Sequence, residues 1–213
     1  MNNTKEIIDI IKSTINYQEN DSVPIHEPFF DGTRAQEYIK DCLDSGWVSS
    51  AGEWVSKFEQ LISEYTGSKY SIVVSNGAVA LRLALFLVGV RANHEVLIPP
   101  LSFVATANAV SHLGASPHFI DIEKNSLFID PIKLKKYLEK NFIRKKNYTI
   151  NKKTKNILKA IIPFHTFGHS CDIQKIKKIA TNFHLKIIED AAEGLGSYNN
   201  GRHLGTFGHI GIL

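Results

Sequence analysis

From residue 70 onward, short β-branched runs alternate with longer stretches of helical character, and no other feature constrains the fold as strongly. Apolar runs at 70–74, 95–98, 117–121, 157–163 and 185–189 read as strands, and the segments between several of them carry helix-forming or amphipathic patterns. A strand that returns through a helix to a parallel neighbour makes a βα unit, and repeating that unit gives one mostly parallel sheet. The expected fold class is α/β, a three-layer arrangement of a mostly parallel sheet with helices on both faces. Ligands of such sheets bind outside the carboxyl ends of the strands, so the residues that follow each run are the ones to examine.

Ahead of the alternating region, Ile8, Ile11 and Ile15 share one helical face within residues 4–15. The polar stretch from Asn16 to Ser22 follows as a linker, so residues 1–22 are taken as an N-terminal helix and linker and 23–213 as part of one large domain. Pro24 to Phe30 is expected to be extended, and helices are expected over 32–43 and 53–65. The formal charge of +4 is local: residues 140–159 hold eight Lys or Arg and no acid, which leaves −4 for everything else. The basic, Asn-rich stretch 141–156 is expected to be an exposed loop on the domain edge, and no nucleic-acid surface is implied.

An apolar share of 43% and a charged share of 22% are those of an ordinary soluble globular protein. Cys42 and Cys171 are too few for a disulfide framework and show no zinc-ligand spacing, which fits a reducing cytoplasm and predicts no metal site. The amino terminus has Glu6, Asp9 and Lys12 among its apolar residues and is no secretory signal, while 78–90 is too short to span a bilayer, so no membrane partner is expected. Gly211-Ile212-Leu213 reads as the start of a strand, and the expectation is a fold cut within an element.

Three features collect at the expected carboxyl edge of the sheet. Ser75-Asn76-Gly77-Ala78 joins a strand to a helix start, a geometry that is either a plain βα turn or a cradle of backbone N–H groups for a phosphate. Phe103, in the first turn of the next helix, is either core or a flat ring for stacking. Asp190 leaves the strand 185–189 and is either a helix cap or a carboxylate presented to a ligand. Together the three meet the needs of pyridoxal 5'-phosphate: donors for its phosphate, a partner for its ring, and a carboxylate that keeps its pyridine nitrogen protonated. The loop from Trp47 to Gly52, with Ser49 and Ser50, is a candidate functional loop. No GxGxxG follows the first strand, which disfavours a dinucleotide-binding protein.

The segments SGWVSSAGEWVSKFE, VVSNGAVAL, PPLSFVATANAV, AIIPFHTFGHSCDI and IIEDAAEGLGSYNNGRHLGTFGHIG resemble, in this order, the DegT/StrS-type sugar aminotransferases of the fold-type I pyridoxal-phosphate enzymes. The likeness is greatest to enzymes that aminate nucleotide-linked 4-keto-6-deoxy sugars, of the bacillosamine and legionaminic acid type. It implies a phosphate-binding turn at Asn76, Gly77 and Ala78, ring stacking by Phe103, and Asp190 on the pyridine nitrogen. It further implies Glu193 near the ring hydroxyl, with Ser49, Ser50 and His165 in loops near the substrate. The substrates implied are a nucleotide-linked keto sugar and an amino donor, glutamate; full-length family members are homodimers. Ala78 stands where the family's turn has Thr, which removes one hydroxyl from the phosphate. The family's Schiff-base lysine belongs to a Ser-Phe-x-x-x-Lys type segment expected after Leu213, so no catalytic residue is assigned within the chain and it is expected to be inactive alone. Related pyridoxal-phosphate sugar dehydratases share these motifs with His at that lysine, and a non-catalytic truncated remnant is the other alternative.

Overall fold

Asn2–Thr14 (α1) and Ala35–Ser45 (α2) are helices of the first of two units, residues 1–49 and 50–213, into which the chain divides. The computed structural model describes residues 2–15, 17–18, 28 and 30–213. The expected boundary between 22 and 23, most of the linker 16–22 and most of the extended segment 24–30 lie outside the described residues. In α1 the isoleucine face is exposed, with Ile8, Ile11 and Ile15 all solvent-facing. α2 closes on Gly46 at φ +73°, a conformation that only glycine adopts freely.

The second unit opens with Glu53–Thr66 (α3), stopped by Gly67. Residues 70–74 were expected to be a strand. They are extended but pair with no strand among the described residues, and the Val73 N–H donates instead to the Glu59 carboxylate of α3 at 2.8 Å. β-branched composition favours an extended backbone; pairing needs a neighbour, and composition does not supply one.

The remaining elements run Gly77–Leu87 (α4), Glu95–Ile98 (β1), Val104–Ser111 (α5), Ser116–Phe119 (β2), Pro131–Asn141 (α6), Phe142–Arg144 (β3), Thr149–Asn151 (β4) and Ile157–Ile161 (β5). After a 3-10 turn at Thr166–Gly168 come Ile173–Asn182 (α7), Lys186–Asp190 (β6), Tyr198–Asn199 (β7), Arg202–His203 (β8) and Ile210–Ile212 (β9). Parallel pairing gives the order β2-β1-β5-β6-β9. This is the mostly parallel sheet expected.

Strand alternation sends successive side chains to opposite faces. Val96, Ile98 and Ile188 pack with Leu81 and Leu85 of α4 and Val110 of α5. Leu97, Ile161 and Ile187 pack with Leu134 of α6 and Ile173 and Ile176 of α7. Helices therefore cover both faces, making three layers, and each fully buried Leu or Ile in these clusters contributes roughly 1.5–3 kcal/mol. Asp130 caps α6 and Asp172 caps α7 through their carboxylates. Asn200-Gly201, both at positive φ, turn the β7–β8 hairpin.

Two expectations need correction. The basic stretch 141–156 is largely exposed at the sheet's edge, as expected, but it is a β-hairpin and not a loop: β3 and β4 pair antiparallel, β4 pairs with the first residues of β5, and Phe142, Thr149 and Asn151 are buried. Its lysines hid a short alternating pattern in which every second residue of 149–151 faces inward. Phe103, expected in the first turn of its helix, is instead the cap position of α5 and makes no side-chain capping bond. No helix among the described residues is long and apolar enough to cross a membrane.

Candidate functional site

β6 delivers two acids to opposite sides of the sheet, and the structure uses them differently. Asp190, at the strand's last position, is 2% exposed, and its Oδ2 accepts from Thr106 Oγ1 at 2.7 Å. Its backbone is bonded on both sides by the loop after β5: Asp190 N–H donates to Pro163 O at 2.9 Å and His165 N–H to Asp190 O at 3.0 Å. Burial pushes the Asp190 carboxyl above the usual carboxylate range, against the hydrogen bonds from Thr106 and the Ala192 amide and the field of His165. A buried acid in that condition lacks a counter-charge, and a cationic ring nitrogen would supply one.

Glu189 faces the other way and is wholly consumed by the fold. Its Oε2 accepts from Gly205 N–H at 3.0 Å and lies 3.1 Å from His165 Nε2, and its Oε1 accepts from Gly208 N–H. Cys171 N–H donates to His165 Nδ1 at 3.3 Å, so the ring proton sits on Nε2 and points at Glu189. His165 is completely buried with both ring nitrogens engaged by the protein, not exposed to a substrate.

Helix α4 begins at the turn that the sequence marks. Asn76 is its cap, accepting from Val79 N–H at 3.0 Å. The amides of Gly77 and Ala78 have no acceptor among the described residues, and a Cβ built on Gly77 would meet nothing within 4 Å. The positive end of this helix is thus open to an anion. α4 packs against α5 and β6, and Thr106 lies in the first turn of α5, three residues after Phe103, which is 71% exposed. The helices that begin at the open turn and at the exposed ring thus pack with each other, and the strand that ends at the buried carboxylate is bonded to the second through Thr106 and packs against the first; these residue types fit pyridoxal phosphate.

Glu193 is exposed, and its Oε2 accepts from Phe167 N–H at 2.6 Å. Phe167 has φ +54° and ψ +28°, a left-handed conformation that costs a bulky residue roughly 1–3 kcal/mol. Next to it, Thr166 Oγ1 is buried with no partner among the described residues. Ser49 ends the first unit and Ser50 opens the second, and both are exposed. Thr106, Glu189 and Phe167 were not singled out from sequence. The spacing of Thr106 one helical turn after Phe103 was the available signal for the first; for Phe167 there was none, because φ is not written in the residue type. Among the described residues no group of three His, Cys, Asp or Glu is placed to hold a metal ion.

Residues 31–213 match the DegT/DnrJ/EryC1/StrS aminotransferase family. The chain belongs to that family. The GDP-perosamine synthase of Vibrio cholerae is 38% identical over 188 residues, which are 88% of this chain and 47% of that protein. The solved structure of a DegT/DnrJ/EryC1/StrS aminotransferase from Brucella abortus superposes with a TM-score of 0.74 at 30% identity, over 87% of this chain and 49% of that one. GDP-4-keto-6-deoxy-D-mannose-3-dehydratase of E. coli, solved with bound hydrated pyridoxal phosphate, has a TM-score of 0.72 at 25% identity, over 88% and 45%. The chain spans about half the length of the relatives it matches. As a DegT-family chain it carries a fold-type I aminotransferase architecture across its second unit.

Proposed function

We propose that these residues hold pyridoxal 5'-phosphate in a cytoplasmic enzyme that converts the 4-keto group of a nucleotide-linked 6-deoxy sugar to an amine, with glutamate as donor. The observation that carries this reading is Asp190: a buried carboxylate at a strand's carboxyl end, pushed up by burial and fixed by Thr106. When bound, the cofactor supplies an electron sink for charge that develops at the substrate carbon. Asp190 keeps the ring nitrogen cationic, and the amides of Gly77 and Ala78, ahead of the Asn76 cap, bind the phosphate. Phe103 covers the ring. Glu193 lies at the ring's edge, while His165 and Glu189 hold the strand end that positions Asp190.

No lysine is bonded to Asp190, Thr106 or His165 among the described residues. Lys186 Nζ sits 3.2 Å from His209 Nε2, Lys177 donates to Phe207 O, and Lys152 and Lys155 are spent on the hairpin's carbonyls. The chain is proposed to hold the cofactor without a covalent bond and to turn over no substrate by itself, with homodimers of the longer family members as the active assembly. Ser49 and Ser50 are proposed to contact substrate.

Titrating the purified chain with pyridoxal phosphate tests this. Saturable binding that Asp190→Ala abolishes, with no lysine labelled after borohydride, is the expected result. Failure to bind, or binding indifferent to Asp190→Ala, overturns the site. Robust turnover by the chain alone overturns the claim that it is inactive.

A dehydratase reading is favoured by one observation, the likeness to the E. coli 3-dehydratase. Transfer of 15N from glutamate to the sugar by the full assembly supports the aminotransferase, and loss of the sugar 3-hydroxyl supports the dehydratase.

A further inference from the structure

We propose that Phe167 positions substrate, its ring taking the apolar face of the sugar in a nucleotide-linked sugar; this rests on the reading above and deepens it. Phe167 holds a left-handed backbone, φ +54°, in the turn between β5 and α7, and its side chain is 73% exposed. Neither fact serves the fold by itself. An exposed ring contributes no core burial, and glycine would take the same backbone without strain.

The conformation is nonetheless enforced from three directions. Glu193 Oε2 accepts the Phe167 N–H at 2.6 Å, Gly168 N–H donates to His165 O at 3.0 Å, and His169 N–H donates to Thr166 O at 3.1 Å. Gly168 packs so closely on the loop after Asp190 that a Cβ there would lie 2.5 Å from Glu193 O. The turn is therefore clamped to the loop after Asp190.

The clamp also fixes where Phe167 stands. Phe164 bridges Asp190, and His165 N–H donates to Asp190 O, so Phe167 follows the Asp190 bridge by three residues on the same edge of the sheet. Backbone strain that surrounding structure over-determines is a mark of functional positions. Scattered exposed apolar residues are ordinary on a protein surface; a strained one, bonded through its N–H to the Glu193 carboxylate and largely exposed, is not. A flat apolar ring beside the site is complementary to the C–H face of a deoxy sugar and offers a phosphate or carboxylate nothing. Phe103, exposed at the start of α5, is already assigned to the cofactor.

Binding to the chain saturated with pyridoxal phosphate tests the proposal by calorimetry, with GDP-fucose, dTDP-rhamnose and UDP-N-acetylglucosamine as probes and GDP, dTDP and UDP as their controls. The variants are Phe167→Gly, which frees the backbone and removes the ring, and Phe167→Tyr, which keeps the ring. Expected are a higher melting temperature for Phe167→Gly, about fivefold to tenfold weaker binding of the preferred nucleotide sugar, unchanged binding of its nucleotide, and recovery in Phe167→Tyr. Undiminished sugar binding by Phe167→Gly overturns the role of Phe167 and leaves the function proposed above intact. Equal losses for nucleotide and nucleotide sugar overturn it too, because the ring then serves the nucleotide. If the wild-type chain binds pyridoxal phosphate but none of the nucleotide sugars, both this role and the substrate class fall.

Discussion

Thr106 Oγ1 donates to Asp190 Oδ2 at 2.7 Å across 84 residues of sequence, with both side chains buried. The bond ties the first turn of α5 to the carboxyl end of β6, so the helix that presents Phe103 and the strand that presents Asp190 hold one geometry. A hydroxyl donor also stabilises the ionised acid, which matters because burial works against that form.

Asp190→Asn is expected to leave the cofactor-free chain as stable as wild type at pH 7, or up to about 1 kcal/mol more stable, while removing pyridoxal phosphate binding. The sign follows from the raised folded pKa. Stability due to this group is fully present below the unfolded value, near 3.8, and is lost as pH rises through the higher folded value, because the buried side chain must then carry charge. The variant carries none. Melting temperatures of the two proteins should converge in acid and separate in the variant's favour toward neutrality. A variant that melts well below wild type at pH 7 would contradict this.

Glu189→Gln is expected to cost roughly 3 kcal/mol or more. The carboxylate accepts from Gly205, Gly208 and His165, and an amide offers one oxygen and one NH2 group to three donors, leaving at least one buried N–H facing another. Chemical denaturation reads the loss directly. An unchanged midpoint would mean that the loop 205–208 is not held through Glu189.

At the opposite end of the sheet, Glu95 is 2% exposed and accepts from His118 Nδ1 at 3.0 Å, Asn151 Nδ2 at 2.8 Å and Thr154 Oγ1 at 2.5 Å. Burial pushes its pKa up, but the hydrogen bonds from His118, Asn151 and Thr154 outweigh it and leave it below the usual range. The stability it confers is present above the ordinary value of 4.5 and is lost as pH falls through the lower folded value. Glu95→Gln is expected to destabilise by about 1–3 kcal/mol at pH 7, with the gap to wild type closing below pH 4.5. Hydrogen exchange of the hairpin β3–β4 should quicken in the variant, since Asn151 and Thr154 anchor it.

The two cysteines should behave differently. Cys171 is 1% exposed, and burial first, then the nearby Glu189 and Asp172, push its thiol up; thiolate is the reactive form. Cys42 is half-buried. Ellman's reagent on the native chain should titrate one thiol rapidly, with the second appearing only on denaturation. Two fast thiols would show that the loop around His165 opens.

The alternation of strands and helices and the motifs of the DegT family were legible because each depends on neighbours in sequence. Hydrophobic period and turn chemistry are local properties, and they sufficed for the three-layer sheet and for Asn76, Phe103 and Asp190 as candidates. Tertiary structure decided what local pattern cannot encode. Residues 70–74 pair with no strand among the described residues, because pairing is a property of two segments, and the basic stretch became a hairpin because Asn151 and Thr154 meet Glu95, more than fifty residues earlier. Of two adjacent acids, Glu189 accepts from backbone amides and Asp190 from Thr106, since a strand turns consecutive side chains to opposite faces and only the assembled fold determines what lies on each.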